Sequence, residues 1–215
     1  MHWTDEGYLL SKSNFNENSI IIEVFTSTHG KYAGIVYGGS SRKQKGKFQI
    51  GNKILLNWKS KSENKSGYFT IELIKPVAPL FFDDKKKSIC LLSATSILKI
   101  LLPERQINTK IYNSFEKMLD ALHEDNWINL YIIWEISLIK ELGFEFNFAS
   151  REKLIKVNDK SFKIPKLFFK SITKESKTEI KEALFFNKNL LLEYFIIPNR
   201  LNMPLSRNLL ENYYS

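Results

Sequence analysis

The chain predicts an α+β fold in two halves: a small barrel of five strands over residues 1–80, then a helical domain over 81–215 with a small β-hairpin insertion near 150–166. Three observations carry the prediction. Extended, β-branched and aromatic runs fill the first 80 residues. Beyond them, apolar residues recur at spacings of three and four. Pro76, Pro79 and the run Asp83-Asp-Lys-Lys-Lys87 mark the change between the two patterns.

The barrel elements follow in order. Trp3 to Lys12 is a first extended run, and Ser19-Ile-Ile-Ile-Glu-Val-Phe-Thr26 is a second, broken only by Glu23. Ser27-Thr-His-Gly30 reads as a turn, because Gly30 takes a positive φ at little cost. Lys31 to Tyr37 returns as a hairpin partner, and Gly38-Gly39-Ser40-Ser41 is a loop. Gln49 to Trp58 and Tyr68 to Ile74 complete the five. In the last run, Phe69, Ile71 and Leu73 alternate with Thr70 and Glu72, as a half-buried strand requires. Five short strands suit a closed OB-type barrel better than a sandwich, which usually has roughly seven or more.

In the second half, residues Ile89 to Leu101 read as a mostly buried helix ended by Pro103. Tyr112, Phe115, Met118, Leu119 and Leu122 mark a second helix. Trp127 to Leu142 is a third, with Asn126 placed to cap its start and Gly143 at its C′ position. Leu154–Val157 and Ser161–Ile164 flank the turn Asn158-Asp-Lys160. Thr178 to Ile197 is helical, with a break expected near Asn187, and Ser206 to Tyr213 is a last short helix. No internal repeat is visible.

Hydrophobic residues make up 43% of the chain and charged residues 26%, enough apolar surface to offset the entropy of ordering. Lys plus Arg number 32 against 23 Asp plus Glu, a net charge of +9, which points to a polyanionic partner. The single Cys90 excludes an internal disulfide framework and a multi-cysteine zinc site, and suits a reducing compartment. There is no apolar stretch near the ~20 residues of a membrane span and no signal-peptide pattern at the start. A soluble, cytoplasmic protein is expected.

The charge is concentrated. Between Arg42 and Lys65 lie Arg42, Lys43, Lys45, Lys47, Lys53, Lys59, Lys61 and Lys65 against one acid, Glu63. These positions fall largely in loops between strands, from which OB barrels grip nucleic acid. Tyr32, Tyr37, Phe48, Trp58 and Tyr68 interleave with them. Each ring fits either a base-stacking platform, with Tyr32, Tyr37 and Phe48 the foremost candidates, or a place in the barrel core.

Catalytic patterns are missing. His2, His29 and His123 have no metal-ligand spacing to another ligand residue, and His29 reads as a turn residue. Tyr37-Gly-Gly-Ser40 lacks the ending of a phosphate-binding loop, no Gly-x-Ser-x-Gly elbow is present, and Cys90 reads as an inert buried thiol. Asp83-Asp84 and Glu124-Asp125 read as solvated turns. The chain is expected not to be an enzyme. Charge alone leaves open a DNA-binding protein, an RNA-binding one, and a non-catalytic adaptor whose barrel docks acidic protein partners.

Four segments narrow this choice: Gly7-Tyr-Leu-Leu-Ser-Lys12, Asn16-Glu-Asn-Ser-Ile20, Phe25-Thr-Ser-Thr-His-Gly-Lys31 and Val36-Tyr-Gly-Gly39. Together they resemble the N-terminal domain of the RecO family. Leu101-Leu-Pro-Glu-Arg105, Tyr112 to Leu122 and Trp134-Glu-Ile-Ser-Leu-Ile-Lys-Glu-Leu-Gly-Phe144 resemble that family's helical domain, and Pro204-Leu-Ser-Arg-Asn-Leu-Leu210 its closing segment. The likeness is collinear over nearly the whole chain.

The resemblance implies a bacterial recombination mediator of DNA repair, acting at the nucleoid without cofactor or chemical step. Its OB domain would bind single- and double-stranded DNA and anneal complementary strands. With RecR and RecF it would load RecA onto strands coated by single-stranded-DNA-binding protein, whose acidic, apolar C-terminal tail the helical domain takes up. Carried over by residue, Lys31 would lie near DNA, and Arg42, Lys43, Lys45 and Lys47 would meet phosphate. Lys99, Arg105, Lys110 and Lys117 are candidates for the tail, and equally fit ordinary solvated helix faces. Many family members carry cysteines of a zinc-ribbon-like insertion after the Leu-Gly-Phe helix. Residues 145–154 hold none, so no metal is expected.

Overall fold

A computed structural model describes residues 1–42, 44–61, 67–144, 154–169 and 176–214. The chain divides into two compact units, Met1–Tyr112 and Asn113–Ser215.

The first unit contains β1 (His2–Asn14), β2 (Ser19–Thr26), β3 (Gly30–Tyr37), β4 (Lys53–Lys59) and β5 (Gly67–Lys75). Pairing runs β1-β2-β3-β5-β4 and closes as a barrel, with β3 and β5 parallel and every other pair antiparallel. This is the expected OB-type barrel on an α+β chain. Strand alternation fills its interior: Ile20, Ile22 and Val24 from β2, Ile54, Leu56 and Trp58 from β4, and Phe69 and Ile71 from β5. A register shift between Leu9 and Ser11 bends the long β1 so that it pairs with both β2 and β4.

Residues 49–52, expected to begin β4, form a turn instead. Gly51 has φ +91, and Asn52 is fully buried with its side chain bonded to three backbone groups, so extended pairing starts only at Lys53. After a short 3-10 turn at Ala78–Phe81, α1 (Lys85–Leu101) follows. Asp84 is its N-cap, accepting from the backbone of Lys86 and Lys87. This helix belongs to the same compact unit as the barrel and packs against β1.

Helix α2 (Thr109–Ala121) spans the division. The second unit continues with α3 (Trp127–Glu141), the hairpin β6 (Leu154–Val157) and β7 (Lys160–Lys163), α4 (Lys177–Leu191) and α5 (Leu205–Asn212). Asn126 precedes α3, but its side chain makes no capping bond. The break expected near Asn187 is not there. Asn187 is buried and donates to the Ile132 carbonyl and Glu135, so its amide does not compete with its own helix. The pitch changes later, in a π-helical turn at Leu192–Ile196. Arg207, fully buried on α5, donates to Glu135 Oε2 at 3.2 Å and to the Leu184 carbonyl at 2.7 Å, joining α5 to α3 and α4.

Candidate nucleic-acid interface

The basic loop after β3 is built on two buried anchors. Phe48 is 1% exposed and sits in the barrel core, so it is a plug rather than the stacking platform its neighbours suggested. Asn52 donates to the carbonyls of Gly46 and Lys47 at 3.3 Å, accepts from Ala78 N at 3.0 Å, and through its own carbonyl accepts from Leu9 N at 3.0 Å. Between Gly38 and these anchors, successive turns carry Arg42 and Lys45 at the surface, with Lys47 half-buried. Lys43 and Lys65 lie outside the described residues.

A second group of side chains lies across three neighbouring strands. Lys59 on β4 pairs in register with Tyr68 on β5, which pairs in turn with Ile35 on β3. Tyr37, 66% exposed, packs against Tyr68, 40% exposed, with ring centroids 6.0 Å apart. Lys59 is exposed beside them and Lys61 follows it at the surface. Two displayed rings flanked by lysines give bases a stacking surface and phosphates a positive one. Tyr68 completes this pair. The sequence offers it as one of five rings interleaved with the basic residues, behind Tyr32, Tyr37 and Phe48, and the partnership with Tyr37 depends on the parallel β3–β5 crossing.

The other basic candidates are placed differently. Lys31 is 9% exposed and its ammonium donates to the Lys99 carbonyl at 2.7 Å. Burial pushes its pKa below the usual lysine value, against the opposing pull of Glu23 and Glu104. It therefore braces β3 against the end of α1. Lys53 is ion-paired with Glu6 at 2.9 Å and lies over the Tyr8 ring. Tyr32 is half-buried, edge-on to Trp3 and Trp58, with the Arg105 guanidinium 5.5 Å from its ring centre. Lys99 pairs with Glu23 at 2.9 Å. Lys110 and Lys117 are exposed on α2.

The β2–β3 turn is a polar knot around Asp5. Its carboxylate accepts from Ser27 Oγ at 2.7 Å, Thr28 N at 2.9 Å and Thr28 Oγ1 at 2.8 Å, and His29 Nδ1 lies 2.9 Å away. Burial alone would raise the Asp5 pKa. The bonds from His29, Ser27 and Thr28 overcome it and hold the carboxyl well below the usual range. Gly30, at φ +77, is required here: a Cβ would stand 2.1 Å from the Gln106 carbonyl oxygen.

Among the described residues no group of three or more His, Cys, Asp or Glu side chains could hold a metal ion, and no helix is long and apolar enough to cross a membrane. The zinc-ribbon position falls almost wholly outside the described residues.

Comparison with known proteins agrees with this barrel-and-helices order. Residues 1–77 match the family model "Recombination protein O N terminal", and residues 83–167 match "Recombination protein O C terminal". The chain belongs to the RecO family. The DNA repair protein RecO of Cereibacter sphaeroides is 36% identical over 167 residues, covering 75% of this chain and 70% of that one. That of Roseobacter denitrificans is 35% identical over 168 residues with the same coverage. That of Rhodospirillum centenum is 30% identical over 150 residues, 70% of this chain and 60% of its own length. RecO membership supports a role in DNA repair and recombination.

Proposed function

We propose that this RecO-family chain is a non-catalytic, DNA-binding recombination mediator. It binds single- and double-stranded DNA through its barrel and anneals complementary strands. With RecR and RecF it helps load RecA onto strands coated by single-stranded-DNA-binding protein, whose C-terminal tail it also binds. The observation that carries the DNA reading is the displayed pair Tyr37–Tyr68 beside Lys59 and Lys61, together with Arg42 and Lys45 on the anchored loop. Stacked bases and neutralised phosphates need that combination and need no reacting group.

Replacing Arg42, Lys45, Lys59 and Lys61 together by Ala tests it. The dependence of log affinity on log salt for oligothymidine is expected to flatten by roughly 3, at roughly 0.7 per lost contact. An unchanged slope removes the phosphate contacts from this surface. Annealing of complementary oligonucleotides, bare and coated, tests the rest. Faster annealing of coated strands that is lost when the coating protein's tail is deleted supports both interactions. Faster annealing of bare strands alone supports the barrel reading and overturns the tail one. No acceleration of either favours an adaptor for acidic protein partners.

A further inference from the structure

The end of the barrel at the β2–β3 turn carries a second arrangement with the chemistry of single-stranded nucleic acid. Trp3 packs on the core beneath it, and the His29 ring stacks on Trp3 with centroids 4.1 Å apart and an interplanar angle of 11°. The imidazole is fixed before any ligand arrives. Its Nδ1 is 2.9 Å from Asp5 Oδ2 and 3.0 Å from Thr28 Oγ1, and its backbone N–H donates to Thr26 Oγ1 at 3.1 Å. The His29 side chain is nevertheless 30% exposed, whereas that of Asp5 is 4% exposed. The imidazole is therefore partly open to solvent, while the Asp5 carboxylate that positions it is buried.

One cation stands over its neighbour Tyr32. Arg105 is exposed and holds φ 60, a conformation that arginine rarely adopts and that functional sites tend to store. The Arg105 N–H donates to the Lys31 carbonyl at 2.8 Å, and its guanidinium lies over Tyr32, which stands edge-on to both Trp3 and His29. On the neighbouring strands His2 pairs in register with Lys59, and the Met1 ammonium donates to the Ser60 carbonyl. By strand alternation Trp3 and Trp58 point into the barrel while His2 and Lys59 point away from it. The shelf made by His29 on Trp3 thus presents a different face from the strip formed by Tyr37, Tyr68 and Lys59.

We propose that this barrel end is a second single-stranded DNA site: a base stacks on His29, extending the Trp3–His29 stack, and the adjoining phosphate meets Arg105. The proposal rests on the DNA-binding reading above and deepens it. Annealing brings two strands together, and one strand on the tyrosine strip with another at this shelf would place both on one barrel. Because the ring is already ordered, little side-chain entropy opposes stacking.

Photo-cross-linking of the full chain to an oligothymidine carrying iododeoxyuridine tests it directly. Cross-links are expected on Trp3 or His29 as well as on Tyr37 or Tyr68. Cross-links confined to the tyrosines overturn the second site and leave the proposed function standing; cross-links at neither place overturn both. As a second measurement, Arg105→Gly removes the guanidinium and relaxes the left-handed backbone. It should slow annealing of bare strands about tenfold, the equivalent of one good contact, while short-oligothymidine affinity falls less than about twofold, since the strip still binds. Equal losses in both, or no loss of annealing, overturn the proposal.

Discussion

Phe48 and Tyr37 flank the same basic loop, and to a reader of the sequence they are the same signal, a ring among lysines. The fold treats them oppositely: Phe48 is 1% exposed and closes the barrel, while Tyr37 is 66% exposed and faces a second displayed ring. The same division separates the cations. Lys31 is buried against a carbonyl, whereas Arg42, Lys45, Lys59 and Lys61 reach solvent. Residue type sets what a side chain can do. Strand register and the anchoring of a loop set which side it does it on.

The largest expected effect tests that division of rings. Phe48→Ala should cost about 3–5 kcal/mol of stability, as deletion of a buried phenyl ring does, read from the denaturant midpoint. Tyr37→Ala should leave the midpoint within about 0.5 kcal/mol yet weaken oligothymidine binding by about 1 kcal/mol or more, for the loss of one stacked base. A Phe48 variant that stays stable but loses DNA would reverse the two roles.

A smaller effect separates two of the buried carboxylates, Glu135 and Asp5. Glu135 meets the guanidinium of Arg207, which burial would lower but Glu135 holds strongly protonated. Asp5 is answered by hydroxyls, a backbone N–H and His29. Asp5 binds its proton more weakly in the folded chain than in the unfolded one. The stability it contributes is therefore complete above the ordinary carboxylate range and is lost as pH falls below about 4. Asp5→Asn should reduce that acid sensitivity and cost about 1–3 kcal/mol at pH 7. Denaturant unfolding of both proteins at pH 7 and pH 3.5 measures it. Equal acid sensitivity in the two would show that the knot at the β2–β3 turn does not couple to folding.

Much of the barrel was legible because each strand carries its own local pattern. β2 matches its expected span from Ser19 to Thr26, since a β-branched run with inward residues at alternate positions admits one register. The end of α1 before Pro103 and the turn at Asn158 were equally local. What escaped depends on distant partners. Gln49–Asn52 has strand composition, but Asn52 bonds to Ala78 and Leu9, far along the chain. Asn187 resembles a helix breaker until Ile132 and Glu135 supply its bonds. The candidate site was legible as chemistry, lysines and aromatic rings in one stretch. The pairing of Tyr37 with Tyr68, and the removal of Lys31 and Phe48 from the surface, required the closed barrel.

The smallest effect bears on Lys31, where sequence and structure diverge most. Its ammonium holds the Lys99 carbonyl near the C-terminal end of α1, a position where positive charge is favoured by the helix dipole. Lys31→Met keeps the aliphatic stem and removes the charge. If the brace is the role of Lys31, stability falls by about 1 kcal/mol while the salt slope of oligothymidine binding stays where it was. The fourfold variant of Arg42, Lys45, Lys59 and Lys61 should do the reverse. A salt slope lowered by about 0.7 in Lys31→Met, with stability unchanged, would mean that the ammonium leaves the carbonyl for a phosphate when DNA binds. The division between bracing and displayed cations would then describe only the free protein.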